Sequence, residues 1–449
     1  WHTFKNNIMN YSKMKFQFIT SIIILLINFS VNAQNINIHK IDSFISHIEN
    51  NNRGIGSVSI FKKGKEIYNR SFGQRELGEV KYNDKTKYQI GSITKMITAT
   101  LIFDLIENNE LTLDEKLSKF YPNIPNSENI TIRNLLEHSS GLGDFTMKND
   151  SIWLTKQVKE KEILEEIIKQ GVTFQAGEKV EYSNSGYYLL TEIVEKITNQ
   201  NYATIITEKI TKPLNIENLE SITGKTKNTF ESYKYNKNWE KIKDFEFSNV
   251  VGVGDIVSTT NNLNIFLFNL FNYNLVNESS VDKMKPIEQE KFGRGLMLIP
   301  FNNHIFYGHG GNTYGTHSIA AYNESDQLGL SFAINGERYQ HNDIAIGILS
   351  IIYGKDYDFP NFNTITLKTE DLDKFLGTYS SPNFPLKLTI TKEENNLKGQ
   401  ATGQPEFPLE CYEINKFRFE RANLKIEFIP QENKMLLNQG GKKIEMKKE

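Results

Sequence analysis

The chain has a single cysteine, no large excess of either positive or negative charge, and no cluster of histidines along the sequence. Its single cysteine, Cys411, leaves no partner for an internal disulfide and no thiolate cluster for a metal. The 52 basic and 54 acidic side chains nearly cancel, and no basic run with interleaved aromatics stands out, so nothing favours a nucleic-acid partner. The 8 histidines show no His-x-x-x-His spacing. We therefore expect neither a metal ion nor an organic cofactor.

Long apolar runs are also scarce, and the clearest one lies near the N-terminus. Residues 16–27 are apolar, follow Lys13 and Lys15, and precede Val31-Asn32-Ala33. This pattern is typical of a signal peptide over residues 14–33, with residues 1–13 as an upstream extension. The run is shorter than the roughly 20 residues of a comfortable membrane span. We expect a periplasmic or secreted protein without a stable membrane span after cleavage, although an uncleaved anchor stays open.

Ser-x-x-Lys is the first of three short motifs that suggest nucleophilic chemistry. It occurs four times, beginning at Ser12, Ser59, Ser92 and Ser280. A serine hydroxyl needs a nearby proton acceptor, and side chains three residues apart share a face on a helix but not on a strand. The local setting must therefore decide among the four.

Ser92 has the helical setting that this chemistry needs. The apolar residues after it recur at helical spacing up to Asn108-Asn109, namely Ile93, Met96, Ile97, Leu101 and Leu105. Gly91 permits a tight turn just before it. Ser59 lies instead in a strand-like run, Ser12 precedes the signal peptide, and Ser280 is expected to cap a helix. Ser92 and Lys95 are the candidate nucleophile and base.

Two further motifs follow in the same order along the chain. Tyr182-Ser183-Asn184 supplies a second candidate base, and His309-Gly310-Gly311 supplies glycines that let an edge strand approach a ligand closely. Taken alone, Tyr182 could equally be a buried tyrosine before an apolar helix. His138 is expected to have a structural role, bonding loop carbonyls. His317 and Tyr314 could line a cleft or simply pack in a loop.

At these residues the chain resembles the serine β-lactamase-like hydrolases, in the branch with class C β-lactamases, D,D-peptidases, D-aminopeptidases and esterases. The resemblance covers about residues 40 to 353. The segments that carry it are Tyr88 to Lys95, Leu135 to Leu142, Tyr182 to Asn184, Gly254 to Thr259 and His309 to Gly311.

This resemblance implies a role for each motif residue. Ser92 would be the acylated nucleophile, and Lys95 and Tyr182 would share the proton transfers, with Tyr182 the expected base for the deacylating water. Asn184 would orient Lys95 and the substrate. His309, Gly310, Gly311 and Asn312 would line the substrate site, with the backbone N–H groups of Ser92 and Asn312 forming an oxyanion hole.

His309 departs from the Lys-Thr-Gly that class C β-lactamases usually carry at this strand. A histidine titrating near pH 6.5 suits a substrate carboxylate less well than an always-charged lysine. We therefore expect a secreted serine hydrolase for small esters or D-amino-acid peptides, with β-lactams as slow substrates. The alternative is a sensor that β-lactams or cell-wall peptides acylate and that hardly turns over.

The strand and helix patterns predict an α/β fold in two domains. A hairpin over residues 55–72, further strands over residues 304–334 and a closing helix over residues 344–353 indicate one antiparallel sheet built from both ends of the first domain, residues 34–358. A helical lobe would be inserted between them. Residues 359–449 show short alternating strands, as in a small lipocalin-like β-barrel.

Overall fold

The computed structural model describes residues 36–77, 85–149, 151–153, 155–222, 229–242, 246–287, 290–422, 424–439 and 442–449. The predicted upstream extension and signal peptide lie outside these residues. Within them, no helix combines the length and the apolar character needed to cross a bilayer.

The strands of the larger part of the chain precede residue 338. They are β1 (Gly54–Lys62), β2 (Lys65–Phe72), β3 (Lys87–Gln89), β4 (Met147–Lys148), β5 (Ser151–Ile152), β6 (Leu219–Ser221), β7 (Thr229–Phe230), β8 (Tyr233–Asn236), β9 (Asn238–Lys241), β10 (Ile256–Ser258), β11 (Met297–Phe301), β12 (His304–Asn312), β13 (His317–Asn323) and β14 (Leu328–Glu337).

The main sheet joins the two ends of this part, as the sequence predicted. Its strands follow the antiparallel order β11-β12-β13-β14-β1-β2, and β8 with β9 extends from the end of β14. In the central pair Ser59 of β1 lies opposite Ser331 of β14. A smaller sheet in the order β6-β10-β3-β7 lies in the segment between β2 and β11.

The helices form the layers on both faces of the main sheet and the helical lobe that is inserted between its two ends. They are α1 (Ile38–Asn50), α2 (Thr94–Glu107), α3 (Ile132–Leu136), α4 (Glu160–Gln170), α5 (Asn184–Thr198), α6 (Tyr202–Ile206), α7 (Lys212–Leu214), α8 (Thr260–Phe271), α9 (Glu278–Met284) and α10 (His341–Ile352).

Helices cover both faces of the central strand β1. Val58 and Ile60 belong to one hydrophobic core with α1 and α10. On the opposite face Ser57 hydrogen-bonds Thr260, and Asn264 of α8 donates to the backbone oxygen of Ser59 at 2.9 Å. Because neither face meets solvent, the strand is buried almost from end to end.

Helix α2, which follows the candidate nucleophile, is the centre of the second core. Its apolar residues pack with α3, α5 and α8, and even Thr94, Thr98 and Thr100 are buried. A helix that is buried on all sides lies inside a domain. Each fully buried Ile, Leu or Phe contributes about 1.5–3 kcal/mol, so this helix is a rigid base for the residues at its N-terminus.

The C-terminal part is a closed eight-stranded barrel, which confirms the predicted small all-β unit. Its strands are β15 (Gly377–Ser381), β16 (Phe384–Glu393), β17 (Asn396–Ala401), β18 (Phe407–Glu413), β19 (Lys416–Phe419), β20 (Leu424–Ile429), β21 (Lys434–Gln439) and β22 (Lys442–Lys448). Neighbours in sequence pair in antiparallel fashion, and β15 closes on β22. Alternate residues such as Leu424, Ile426 and Phe428 point into its core. The proposed boundary at residues 358/359 lies in a segment without helix or strand.

One local expectation is wrong. Ser280 is not the cap of its helix, because α9 begins at Glu278 and Asn277 is the N-cap. The Asn277 side chain accepts the backbone N–H of Ser280 at 3.0 Å. Asparagine caps as well as serine does, and it stands at the residue where the chain first turns helical.

Candidate active site

Ser92 lies in a tight 3₁₀ turn, Gly91–Ile93, between β3 and α2. Gly91 has φ of +52°, a left-handed conformation that side chains disfavour. A Cβ atom there would also lie 2.9–3.0 Å from the backbone of Asn312 on β12. The glycine therefore lets two backbone segments touch directly beside the serine hydroxyl.

Lys95, one turn further on, has three hydrogen-bond partners at its ammonium group. Its Nζ lies 3.1 Å from Ser92 Oγ, 2.8 Å from Asn184 Oδ1 and 2.9 Å from the backbone oxygen of Val253. The side chain is fully buried. The structure thus brings Ser92, Lys95 and Asn184 together at one point.

The protonation state of Lys95 decides what this group can do. Burial lowers the pKa of Lys95 to about 7, and the carboxylate of Asp144 offsets part of that effect. A neutral amine has two N–H donors and one lone pair, whereas Asn184 Oδ1 and the Val253 carbonyl can only accept. In the neutral state the lone pair must therefore face the Ser92 hydroxyl, the one partner that can donate.

Tyr182 contacts the same Ser92 oxygen. Its hydroxyl donates to Ser92 Oγ at 2.9 Å, and its ring stacks on His138 with centroids 4.3 Å apart. Burial raises the pKa of Tyr182, although the hydrogen bond to Ser92 acts in the other direction. The phenol therefore stays protonated near neutral pH.

Two residues that the sequence did not single out hold Asn184 in place. Asp144 Oδ2 accepts from Asn184 Nδ2 at 2.9 Å, and Thr146 Oγ1 lies 3.3 Å from the same nitrogen. With the amide nitrogen engaged there, the oxygen must face Lys95. Asp144 closely follows the Leu135–Leu142 segment, which was the signal that could have drawn attention to it.

His138 packs against Tyr182 and makes a different hydrogen bond from the one expected. Its Nδ1 accepts the backbone N–H of Ser183 at 3.3 Å, so it does not bind a loop carbonyl with that atom. Burial, with the nearby Lys95, keeps the pKa of His138 well below its usual value. A neutral imidazole can accept that N–H and stack on Tyr182 at the same time.

The His309–Asn312 segment forms the end of β12 and lies against Ile90 and Gly91. A Cβ on Gly311 would lie 1.8 Å from the Ile90 oxygen, which Ser318 Oγ also binds at 2.9 Å. Gly310 has more room, with its nearest neighbour at 3.8 Å. Since the Asn312 backbone touches Gly91, the backbone amides of Ser92 and Asn312 belong to adjoining segments.

His309 is buried and does not titrate near pH 6.5 as the sequence suggested. Its Nδ1 donates to the Gly310 carbonyl, and its ring centroid lies 6.5 Å from that of Tyr182. Burial and the nearby Lys95 charge lower its pKa to about 3. His309 is therefore neutral near pH 7.

The Val253 carbonyl is presented by a turn that a buried carboxyl group stabilises. Asp255 accepts the Gly252 N–H at 2.7 Å and the Ser221 hydroxyl, and burial raises its pKa to about 7. The sequence identified Gly254–Thr259 as a segment preceding a helix, and α8 follows it with Thr259 as N-cap. Its contact with Lys95 was not foreseen.

This fold, with Ser92 contacting Lys95 and Tyr182, defines a serine hydrolase-like, penicillin-binding-protein type of domain. The Beta-lactamase family model matches residues 42–349, and the chain belongs to that family. It is 31% identical over 209 residues to Protein flp of Staphylococcus aureus (strain MRSA252), which covers 45% of this chain and 39% of that protein. It is 26% identical over 256 residues to the putative penicillin-binding protein PbpX of Bacillus subtilis (strain 168), covering 56% and 64%. Each match spans less than two thirds of the relative's own length.

Solved structures share the fold. D-amino acid amidase from Ochrobactrum anthropi SV3, complexed with D-phenylalanine, aligns with a TM-score of 0.63 at 21% identity, covering 70% of this chain and 98% of that one. The octameric penicillin-binding protein homologue from Pyrococcus abyssi aligns with a TM-score of 0.65 at 25% identity, covering 92% and 100%. The second alignment extends over most of the C-terminal barrel as well. The predicted family and fold class are thus confirmed.

Proposed function

We propose that this chain is a serine hydrolase that forms an acyl-enzyme on Ser92 and cleaves a small ester or amide. The observation that carries the proposal is the arrangement around Ser92 Oγ, which lies 3.1 Å from the Lys95 amine and 2.9 Å from the Tyr182 hydroxyl. A nucleophile in contact with a base that a third group orients is the general pattern of covalent catalysis. Asn184 is that third group here.

Acylation begins with the neutral Lys95 amine. Its lone pair takes the Ser92 proton while Oγ forms a bond to the substrate carbonyl carbon, and the carbonyl π electrons move onto oxygen. The backbone N–H groups of Ser92 and Asn312 would stabilise that oxyanion. When the oxyanion collapses, the bond to the leaving group breaks. The leaving alcohol or amine receives a proton from the Tyr182 hydroxyl, which is replenished by the Lys95 ammonium through a bridging water.

Deacylation reverses these roles with water as the nucleophile. Because burial raises the pKa of Tyr182, the tyrosine acts as a neutral relay: it gives one proton as it receives another. Lys95, with a pKa of about 7, is the group that finally holds the proton from water. When the ester bond between the acyl group and Ser92 breaks, Oγ takes a proton back and the starting state is restored.

The proposed substrates are small esters and D-amino-acid amides or peptides, with β-lactams cleaved slowly. The neutral, buried His309 supports this choice, because it offers no positive charge for a substrate carboxylate. The D-amino acid amidase fold neighbour is consistent with it. We also propose that the protein acts in the periplasm or outside the cell, on the strength of the apolar N-terminal run, residues 16–27.

Covalent labelling tests the proposal. A serine-directed phosphonate should modify Ser92 in the parent protein, and Ser92→Ala should lose both the label and hydrolysis. Ser280→Ala is the matched control, since it removes the serine of another Ser-x-x-Lys that lies on α9. Labelling of a different serine, located by peptide mass spectrometry, would overturn the assignment.

Kinetics on the parent protein separate the hydrolase from the acylated sensor. The hydrolase shows many turnovers per chain with esters or D-amino-acid amides. A single burst equal to the protein concentration, followed by no further product with any of these substrates, would favour the sensor instead.

A further inference from the structure

A second group of chemically reactive side chains lies beside the end of β12. His317 opens β13, Glu337 closes β14 and His341 opens α10. One ligand atom from each lies within 4.8 Å of the other two, and all three side chains are half-buried. Spacing along the sequence could not reveal this group, because the sheet brings His317 to the other two from a distant position.

The distances within the group suit a small divalent cation. His317 Nε2 lies 3.3 Å and His341 Nδ1 2.9 Å from the same oxygen, Glu337 Oε2. In tetrahedral zinc sites with bonds of about 2.0–2.2 Å, neighbouring ligand atoms are separated by roughly 3.3–3.5 Å. The two imidazole rings are stacked with centroids 4.4 Å apart and nearly parallel, and each has one nitrogen close to Glu337 Oε2. Small rotations of these side chains would accommodate an ion.

The hydrogen bond to Asn312 determines which ring nitrogen of His317 is available to bind a metal ion. His317 Nδ1 lies 2.8 Å from Asn312 Oδ1, and an amide oxygen only accepts, so Nδ1 carries the hydrogen. In the neutral ring the lone pair is then on Nε2, which faces the Glu337 carboxylate. Two electron-rich atoms facing each other at 3.3 Å repel unless a cation or a proton lies between them. An outer hydrogen bond that fixes the tautomer is also typical of metal-binding histidines.

We propose that His317, Glu337 and His341 bind one Zn²⁺ ion. Two histidines and a glutamate are a donor set that zinc accepts, with the fourth position taken by water or an exogenous ligand. The ion would connect the beginning of β13, the end of β14 and the first turn of α10. It would thereby stabilise the β12–β13 hairpin that contains Asn312. The proposal does not depend on the hydrolase activity.

Metal titration of the full protein tests the proposal. After treatment with a chelator and its removal, isothermal calorimetry should give one Zn²⁺ per chain. Co²⁺ in place of Zn²⁺ should give the visible absorption of a four-coordinate site. At a Zn²⁺ concentration about 100-fold above Kd, linkage and the size of the domain predict a rise in Tm of about 4 °C.

Substitutions locate the ion. His341→Ala and the isosteric Glu337→Gln should each weaken Zn²⁺ binding by at least about 100-fold, more than the loss of an outer partner causes. His304→Ala is the matched control, because His304 faces a single carboxylate, Asp326, at 3.2 Å, and its loss should leave the titration unchanged. Circular dichroism of each variant without metal checks the fold.

Two results would overturn the proposal. One is the absence of stoichiometric Zn²⁺ binding by the parent protein, which would leave Glu337 as a carboxylate shared by two imidazoles through protons. The other is unchanged binding in both His341→Ala and Glu337→Gln when these variants are folded, which would place the ion elsewhere on the chain.

Discussion

Lys95 combines complete burial with a side chain that is normally charged. Removal from water disfavours its ammonium form, and Asp144 compensates only in part because Asn184 lies between them. The group is therefore poised to lose and regain a proton near neutral pH. Its lowered pKa also means that Lys95 destabilises the folded state progressively as pH falls from about 10.5, the ordinary value of a lysine, to about 7, because the unfolded chain takes up this proton first.

The first residue-scale prediction concerns pH. If Lys95 is the base, as proposed, kcat/KM should rise with pH up to about 7 and level off above it. Initial rates with a neutral ester between pH 5 and 9 measure this limb. Lys95→Met should lose most activity, and any residual activity should not show this rise of kcat/KM with pH. The same limb in Lys95→Met, or a flat profile in the parent, would assign the base to another group.

Tyr182 gives the second prediction. Tyr182→Phe keeps the ring on His138 but removes the hydroxyl that contacts Ser92, so turnover should fall by roughly 10²–10⁴-fold. Acyl-enzyme should accumulate wherever Lys95 still supports the attack, and intact-protein mass spectrometry detects it. Tyr188→Phe, on helix α5 that begins two residues after Tyr182, is the control and should keep the parent rate. Turnover at the parent rate in Tyr182→Phe would make Tyr182 a packing residue.

The motif residues were predictable because each stood in a recognisable local pattern. Ser92 and Lys95 opened an apolar helix, and Tyr182 and Asn184 preceded another. Asp144 and the Val253 carbonyl were not predictable, since their roles come from contacts across the fold. The expected titration of His309 near pH 6.5 was wrong for the same reason: burial is a property of the folded chain and has no local sequence signal.

At the scale of elements, the active site depends on β12 lying directly against the turn before α2. Gly311 allows this contact, because its Cα approaches the Ile90 carbonyl more closely than any side chain permits. The adjacent Gly310 has open space around it. Two neighbouring glycines of one strand therefore differ in whether a Cβ atom fits: it does at Gly310 and does not at Gly311.

This contrast gives the third prediction. Gly311→Ala should push β12 away from Ile90 and reduce kcat/KM at least about tenfold, since a displacement near 1 Å is enough to disrupt catalytic geometry. Gly310→Ala is the matched control for backbone packing and should be close to the parent in Tm. A parent-like rate in Gly311→Ala would show that the contact of β12 with Ile90 does not govern the site.

The sequence predicted the strands with alternating or continuous apolar residues and missed several others. The hairpin β1–β2 and the strands β12 to β14 were found from such patterns. In the barrel, β17 and β22 were not, because Asn396–Ala401 and Lys442–Lys448 contain few apolar residues and gain their conformation from pairing with neighbours. Their existence follows from closure of the barrel.

At the scale of the molecule, a buried charge network connects the hydrolase domain to the barrel. Arg53, at the start of the main sheet, contacts Glu420 at 2.7 Å and Glu410 at 3.3 Å, both on the barrel. It also donates to the Phe362 carbonyl in the connecting segment at 3.0 Å. Because Arg53 is buried, removing one partner leaves the other charges poorly solvated.

We therefore predict that Arg53→Met destabilises the protein by about 3 kcal/mol, the lower end of the range for breaking a buried ion pair, because Arg418 still contacts Glu420. Differential scanning calorimetry should show an earlier first transition. Lys398→Met removes a partly exposed cation that pairs with Glu393 and Glu406 on the barrel surface and should leave the profile unchanged. An unaltered profile in Arg53→Met as well would mean that the network contributes nothing to stability.

The pairing of β1 with β14 has a consequence for how the chain folds. Ser59 and Ser331 face each other in the sheet although most of the domain separates them in sequence. Closing such a long loop lowers the chain entropy before any stabilising contact has formed. Folds dominated by pairings between distant residues therefore form slowly. Until β14 has been synthesised, β1 exposes an apolar edge that can pair with another chain. We expect slow refolding and aggregation that increases with concentration, and nascent chains of this protein should depend on chaperones that shield β1.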